Sequence, residues 1–313
     1  MNGVLELVKI LARLPLSVRR VILRALWRGT LPLRGQVGFD LEPAFERFLK
    51  VGTAEARRMA LEHDFQDLLL IMEWYASICR SHRQMTEDVA RVRVSDPALV
   101  ERIAGSADVV ILAPMHMGSF PFGITYVLWK YFAGRRLLVL RARDDLAGNN
   151  VAMDRMREIA SEVRIMNTRN EAEFVDGMRF IRKGGVVVSL IDLPQSYGSP
   201  AEVSLFGHEA AIAFGLDAMA RMLKAVVLPM TVRSLLARDE IVFGQPFEVA
   251  SNTPEDRRAL AAAMARQIED FVKIDPAQWH MWTRILEFYP WVGRAPSPGG
   301  APALRKVGAH ADL

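Results

Sequence analysis

Apolar runs of strand length alternate with amphipathic helical segments from residue 107 onward. The runs are continuous, which is typical of strands buried on both faces of a sheet. The pattern therefore predicts an α/β fold, with a mixed, mostly parallel sheet covered by helices on both faces. The predicted strands are 107–114, 135–143, 162–166, 185–192 and 225–233, with 240–250 as a candidate antiparallel edge. The predicted helices of this part are 122–132, 149–160, 171–183, 211–223 and the segment that follows Thr253.

The chain divides into four segments by composition. Residues 1–35 form an amphipathic helical lead, and residues 36–106 form a helical region whose main helix is predicted over 53–81, with Thr53 as its N-cap. Residues 107–293 form the α/β domain. Residues 294–313 are rich in Pro, Gly and Ala without an apolar period, and this composition predicts a disordered tail.

Charge is distributed unevenly along the chain. The formal net charge is +4, yet the first 35 residues hold seven basic side chains and one acidic one, so the remainder sums to −2. A nearly neutral body argues against a basic domain surface that binds nucleic acid. The single cysteine, Cys79, excludes a disulfide scaffold and a thiolate zinc cluster, and it agrees with a reducing compartment.

The N-terminal lead has two interpretations. No uncharged apolar run approaches the roughly 20 residues needed to cross a bilayer, and charges interrupt any signal-peptide core. On a helical wheel, one sector holds Lys9, Arg13, Arg20, Arg24 and Arg28, and apolar residues fill the opposite side. This arrangement predicts either a helix lying in the plane of an anionic membrane or a helix that packs its apolar face on the domain.

Polar side chains follow three of the predicted strands at their carboxyl ends, where open α/β sheets bind ligands. His116 follows the first strand, Arg141 and Arg143 end the second, and Asp192 ends the fourth. The sequence lacks a glycine-rich phosphate loop, a Gly-x-Ser-x-Gly elbow and His-Glu-x-x-His spacing. A P-loop enzyme, a serine hydrolase and a zinc enzyme are therefore not indicated.

His116 is the strongest catalytic candidate, although a lone histidine is often structural or merely exposed. At a strand end it could take a proton from an alcohol or amine that attacks a carbonyl carbon. The next helix begins around Gly118 and Ser119, whose amides could stabilise a developing oxyanion.

Several segments resemble one family in the same order along the chain. The segment ILAPMHMGSFPF is similar to the His-x-x-x-x-acid block of the lysophospholipid acyltransferase superfamily. Further segments resemble the bacterial lipid A biosynthesis acyltransferases, which add lauroyl or myristoyl groups, over roughly residues 5–288. These segments are RLPLSVRRVILRALWR, AEARRMALEHDFQDL, LLVLRARDD, IRKGGVVVSLIDLP, VSLFGHEAAIAFG and QWHMWTRILEF.

The resemblance implies acyl transfer from a carrier-protein or coenzyme A thioester to a lipid acceptor. It also implies a peripheral position on the cytoplasmic side of the inner membrane, and no metal or organic cofactor. By the same resemblance, His116 is the base and Asp192 the acid that ends the later strand. The implied substrate-binding residues are Arg141 or Arg143 for phosphate groups, and Phe206 and Gly207 for the loop that shapes the acyl pocket.

One position departs from the family pattern. The family places Asp or Glu five residues after the histidine, where this chain has Pro121. Another carboxylate, such as Asp192, Asp144 or Glu209, could replace it. Alternatively, the acceptor is an amine that needs less base assistance, as in specialised-metabolite synthesis. A third interpretation is a non-catalytic module that binds an acyl chain or a carrier protein.

Overall fold

The computed structural model describes residues 2–33, 40–106, 109–141, 156–167 and 171–289. The α-helices are α1 (Asn2–Leu11), α2 (Leu16–Thr30), α3 (Glu42–Ala44), α4 (Thr53–Cys79), α5 (His82–Val89), α6 (Pro97–Ala104), α7 (Phe120–Tyr131), α8 (Glu171–Ile181), α9 (Leu216–Leu223) and α10 (Pro254–Ile274). A π-helical turn, Phe45–Leu49, follows α3. The 3-10 segments are Leu31–Leu33, Gln195–Tyr197, Pro276–Gln278 and His280–Phe288.

Within the described residues, the β-structure consists of a seven-stranded sheet and a separate two-stranded hairpin. The strands are β1 (Arg93–Val94), β2 (Val110–Pro114), β3 (Arg136–Arg141), β4 (Glu162–Asn167), β5 (Val186–Val188), β6 (Pro200–Leu205), β7 (His208–Ala213), β8 (Val226–Ser234) and β9 (Asp239–Phe243). The sheet order is β1-β9-β8-β2-β5-β3-β4, and β6 pairs with β7. Every neighbouring pair in the large sheet is parallel except β8 with β9. The mostly parallel α/β fold is therefore confirmed.

Burial on both faces explains the continuous apolar runs. In β2, Val110 and Leu112 pack into the core on one face, and Ile111 and Ala113 pack into the core on the other. A central strand of this kind has no solvent-facing side and therefore no polar alternation. The capping signal at Thr253 is also confirmed, because its hydroxyl accepts a hydrogen bond from the amide of Asp256.

Several details of the predicted elements are wrong, among them the strand predicted over 185–192, which spans only Val186–Val188. The helix predicted over 211–223 begins only at Leu216, because residues 208–213 form β7. The strand within 240–250 is antiparallel to β8 as predicted, but it is not the edge, since β1 pairs with its other side. Thr53 is the first residue of α4, and Gly52 takes the N-cap position.

Several predictions fall wholly or partly outside the described residues, including the ends of the strands predicted over 107–114 and 135–143. The tail over 294–313 lies outside them, as do residues 149–155 of the helix predicted over 149–160, whereas residues 156–159 are helical.

The N-terminal helices α1 and α2 lie against α4. The helical wheel predicts that only their apolar face packs on the domain, but part of the basic sector is buried as well. Arg19 and Arg20 are fully buried. Arg24 lies over the ring of Phe65 and forms a double hydrogen bond to Glu62. The expected solvent-facing basic sector is therefore wrong for Arg20 and Arg24. In the part of the chain that the structure describes, no helix has the length and apolar content to span a membrane.

Candidate active site

The sheet brings two of the predicted polar strand ends together. β2 and β5 are parallel neighbours, with Leu112 opposite Val188. The pairing continues past β5, because the amide of Ile191 donates to the carbonyl of Pro114 at 3.1 Å. Parallel strands end at the same edge of a sheet, so the residues after them meet there. His116 and Asp192 are consequently adjacent, although 76 positions separate them in the chain.

The carboxylate of Asp192 contacts both the side chain and the backbone amide of His116. The Nδ1 atom of His116 lies 2.9 Å from Oδ1 of Asp192, and the amide of His116 donates to Oδ2 at 2.8 Å. Since a carboxylate only accepts, Nδ1 carries the proton of the neutral ring and Nε2 keeps its lone pair. Nε2 makes no hydrogen bond to any described residue. The His116 side chain is 22% exposed, so Nε2 belongs to a ring that solvent or a ligand can reach.

Trp279 supplies a third donor to the same carboxylate. Its indole Nε1 donates to Oδ2 of Asp192 at 2.8 Å, and both side chains are fully buried. A buried carboxylate is costly unless its oxygens are satisfied, and three N–H groups satisfy this one. Asp192 is therefore held in one position from which it fixes the tautomer and the orientation of His116.

Gly118 and Ser119 shape the loop rather than offer free amides. Gly118 has a φ of +57°, and a Cβ atom there would lie 2.5 Å from the carbonyl oxygen of Val232, so only glycine fits. Its amide donates to the Gln278 carbonyl at 3.0 Å. The amide of Ser119 donates to Oγ of Ser234 at 2.8 Å. The expectation that these two amides stabilise an oxyanion is not met, because both already have partners within the protein.

Pro121 occupies the position of the missing motif acid without disturbing the helix. It lies in the first turn of α7, where a backbone N–H is not needed. The Pro121 carbonyl accepts a hydrogen bond from the hydroxyl of Thr125 at 2.8 Å. The ring of Phe120, just before it, contacts His116 edge to face with the ring centroids 5.0 Å apart. The helix start thus keeps its shape while the carboxylate beside His116 comes from Asp192, four residues after β5.

The other candidate substrate-binding residues lie further away or outside the described residues. Arg141 ends β3, two strands from β2 at the same edge of the sheet. Arg143 and Asp144 lie outside the described residues. Glu209 is exposed on β7, opposite Ser204, and the structure does not bring it to His116.

Phe206 and Gly207 form the turn of the β6–β7 hairpin. Both have positive φ angles, +52° and +76°, as in the tight turns that suit hairpin twist. A phenylalanine is unusual in that conformation. Here the amide of Phe206 donates to Oε1 of Glu269 at 2.6 Å. Its ring packs against Trp279 and Trp282, with centroids 5.7 and 5.5 Å away. Phe206 therefore supports the tryptophan that binds Asp192.

The C-terminal 3-10 segments contact the loop that carries His116, residues 115–119, and the residue patterns did not predict this. His280 donates its amide to the carbonyl of His116 at 2.8 Å, and Gln278 contacts Gly118 as described above. Gln278 also accepts the amide of Ser234 at 2.7 Å. The sequence signal for this region is the Trp-rich segment QWHMWTRILEF, which resembles the family but does not by itself indicate which loop it contacts.

The comparisons with known proteins give a single family. None of the curated proteins matches the chain at a significant level. The model of the bacterial lipid A biosynthesis acyltransferases matches residues 4–287, which include every described element except the first two residues of α1 and the last residue of the final 3-10 segment. The match covers well over half of the chain and spans both His116 and Asp192. The protein belongs to the bacterial lipid A biosynthesis acyltransferase family.

Proposed function

We propose that the protein moves an acyl group from a carrier-protein or coenzyme A thioester to a hydroxyl or amine of a lipid or small-molecule acceptor, with His116 as general base. The observation that carries the proposal is the buried Asp192–His116 pair, in which Asp192 fixes the proton on Nδ1. The family match supports acyl transfer as the reaction class.

The first step forms the bond between acceptor and acyl group. The acceptor oxygen or nitrogen attacks the thioester carbonyl carbon while its proton moves to Nε2 of His116. The imidazolium that results is stabilised by the Asp192 carboxylate 2.9 Å from Nδ1. Since the amides of Gly118 and Ser119 are engaged, other donors stabilise the negative charge on the thioester oxygen.

The second step releases the thiol. The carbon–sulfur bond breaks as the carbonyl re-forms, and the imidazolium returns its proton to the departing thiolate. His116 ends in its starting state, so no cofactor is consumed and atoms balance. Of the three explanations for Pro121, this geometry favours the first, with Asp192 as the replacement carboxylate.

Substitution of the base tests the assignment. We expect His116→Ala to lower kcat by roughly 10²–10⁴-fold, the usual contribution of a positioned general base. The matched control is His82→Ala, since His82 is exposed at the start of α5. Product formation is measured by intact mass spectrometry with carrier-bound acyl donors of several chain lengths. Unchanged transfer by His116→Ala would show that another group is the base.

The acceptor atom is decided by the same assay. Acceptors bearing a lipid-linked hydroxyl are compared with acceptors bearing a primary amine, and products are treated with mild base, which cleaves esters but leaves amides. Wild-type protein that binds acylated carrier protein without forming any product would replace the enzyme proposal with the binding-module interpretation.

We also propose that the outer face of α1 and α2 rests on a membrane. Seven of the eleven exposed large apolar side chains of the described residues lie on these two helices, so the exposure is concentrated rather than scattered. The seven are Val4, Leu5, Leu7, Ile10, Val18, Val21 and Leu26. Arg13, between α1 and α2, and Arg28, on α2, are exposed, and their positive charges would favour binding to anionic headgroups. The protein would then be peripheral at the cytoplasmic side of the inner membrane.

Two acidic substitutions on that face should weaken the membrane interaction without unfolding the protein. Ile10 and Val21 are 62% and 53% exposed, so Ile10→Asp with Val21→Asp costs little core packing. We expect at least about tenfold weaker binding to phosphatidylglycerol vesicles in a flotation assay, because apolar burial in the membrane is lost. The control is Val175→Asp, at a 48% exposed position on α8. If the Ile10→Asp, Val21→Asp double variant binds the vesicles as tightly as the Val175→Asp control, the proposal that this face meets the membrane is refuted.

A further inference from the structure

A second carboxylate–histidine pair, Asp67 and His280, contacts the loop that carries His116. Nδ1 of His280 is 2.6 Å from Oδ1 of Asp67 on α4, and Nε2 of His280 is 2.9 Å from the carbonyl oxygen of Gly118. The backbone amide of His280 also donates to the carbonyl of His116. The residue therefore contacts the loop at two carbonyls, on both sides of Met117.

The His280 side chain is largely buried and is contacted on several sides, so its position is fixed. The His280 side chain is 9% exposed, and its ring lies 6.3 Å from that of Phe120, which itself contacts His116. His63, one turn before Asp67 on α4, has Nε2 3.6 Å from the other carboxylate oxygen. His63 is anchored in turn, because its Nδ1 lies 2.9 Å from the carbonyl of Ala277.

Charge in this cluster favours the carboxylate form of Asp67. Desolvation opposes ionisation, but the neighbouring His63 and the hydrogen bond and charge of His280 outweigh it and hold the pKa of Asp67 below its usual range. Both partners of the His280 ring are acceptors. Nδ1 faces the Asp67 carboxylate and Nε2 faces the Gly118 carbonyl.

We propose that His280 is a positioning residue for His116. Asp67 orients the His280 ring, and Nε2 of His280 lies against the Gly118 carbonyl, so the turn at Gly118 keeps His116 in position beside Asp192. His280 does not touch substrate and acts only through the loop. The effect on rate rests on the proposed function, whereas the effect on the His116 ring does not.

Two near-isosteric variants separate the Gly118 contact from general packing. Glutamine places an amide nitrogen near the position of the imidazole Nε2, so His280→Gln keeps a donor for Gly118. Asparagine mimics Nδ1 only, so His280→Asn loses that donor while keeping a polar group beside Asp67. His82→Asn, on the exposed start of α5, is the matched control.

The first measurement is the hydrogen-bonded Nδ1–H signal of His116 in NMR spectra of the full-length, histidine-labelled protein. The chain has six histidines, and His116→Ala assigns the signal. We expect His280→Asn to shift or broaden this signal, and His280→Gln and His82→Asn to leave it near its wild-type position. A wild-type signal in folded His280→Asn would overturn the proposal, whether or not the protein transfers acyl groups.

The second measurement is steady-state acyl transfer. A displaced base lowers the chemical step more than binding, so His280→Asn should lose up to about 10²-fold in kcat with KM nearly unchanged. His280→Gln should recover most of the loss, and Asp67→Asn should fall between them. Equal kcat for His280→Asn and His280→Gln would contradict positioning through Gly118, while leaving the assignment of His116 as base intact.

Discussion

Asp192→Asn should lower kcat for acyl transfer by about 10⁴-fold at neutral pH while the fold is retained. The carboxylate has three N–H donors, two of which converge on Oδ2. Asparagine has one acceptor oxygen, and the two converging donors hold it at the Oδ2 position. Its NH₂ group then faces Nδ1 of His116. Because that NH₂ group is a donor, Nδ1 must be unprotonated to accept from it. The neutral ring then carries its proton on Nε2, and a protonated Nε2 cannot serve as base.

Trp279→Phe is the matched control for this prediction. It removes one donor to Asp192 but preserves the carboxylate and its contact with Nδ1, so we expect a much smaller loss of kcat than for Asp192→Asn. Both variants are compared at equal folded fraction, checked by circular dichroism. A loss below about tenfold for Asp192→Asn would show that Asp192 does not orient the base, since a wrong tautomer costs far more.

The sequence predicts that His116 and Asp192 lie near each other, because their proximity follows from one general rule. Parallel strands ending at the same edge bring together the residues that follow them. The two apolar runs that became β2 and β5 are unambiguous, since both are buried on both faces. The sequence alone does not decide which carboxylate meets His116, because strand order within the sheet cannot be read from strand positions alone.

The β6–β7 hairpin was missed because an alanine-rich segment favours a helix by propensity. The competing signal was present in β6, where buried and exposed residues alternate strictly from Pro200 to Leu205. The Phe206–Gly207 turn lacks the usual Asn-Gly or Asp-Gly composition of a two-residue hairpin turn. Tertiary contacts of Phe206 with Glu269 and two tryptophans stabilise it instead.

The burial of Arg19 and Arg20 could not be predicted from local pattern. A helical wheel assigns arginine to a solvent face, whereas here the charges are paired inside the protein. Their partners Glu73 and Asp239 lie 53 to 219 positions away along the chain. Such pairing depends on how α4 and β9 pack against α2, which no pattern within α2 encodes. The same holds for Asp67 and His280, which are 213 positions apart.

Glu73→Gln should lower the free energy of unfolding by about 3–5 kcal/mol, because it leaves buried positive charge uncompensated. Glu73 accepts hydrogen bonds from the guanidinium groups of both Arg19 and Arg20. Asp88 and Asp239 each pair with one of these arginines. Arg80 also pairs with Asp88, so three buried acids balance three buried bases. Neutralising Glu73 breaks that balance in the centre of the cluster.

The pH dependence of stability gives an independent measure of the same carboxylate. Desolvation opposes ionisation of Glu73, but Arg20 and Arg19 outweigh it and lower its pKa from 4.5 to about 2. A depressed native pKa contributes stability above the unfolded value, and that contribution is lost as pH falls from 4.5 towards 2. Urea unfolding across this window should therefore show a shallower acid slope for Glu73→Gln than for wild type.

Glu62→Gln on the same helix is the matched control. Its partner Arg24 is only partly buried, and Glu62 itself is 33% exposed, so solvent replaces much of the lost interaction. We expect a cost of about 1 kcal/mol or less for Glu62→Gln, as for exposed ion pairs. Equal costs for the two variants would mean that the buried cluster contributes no more than a surface pair. A several-fold larger cost for Glu73→Gln would instead show that this cluster fixes α2 to the body of the protein, and with it the apolar face proposed to meet the membrane.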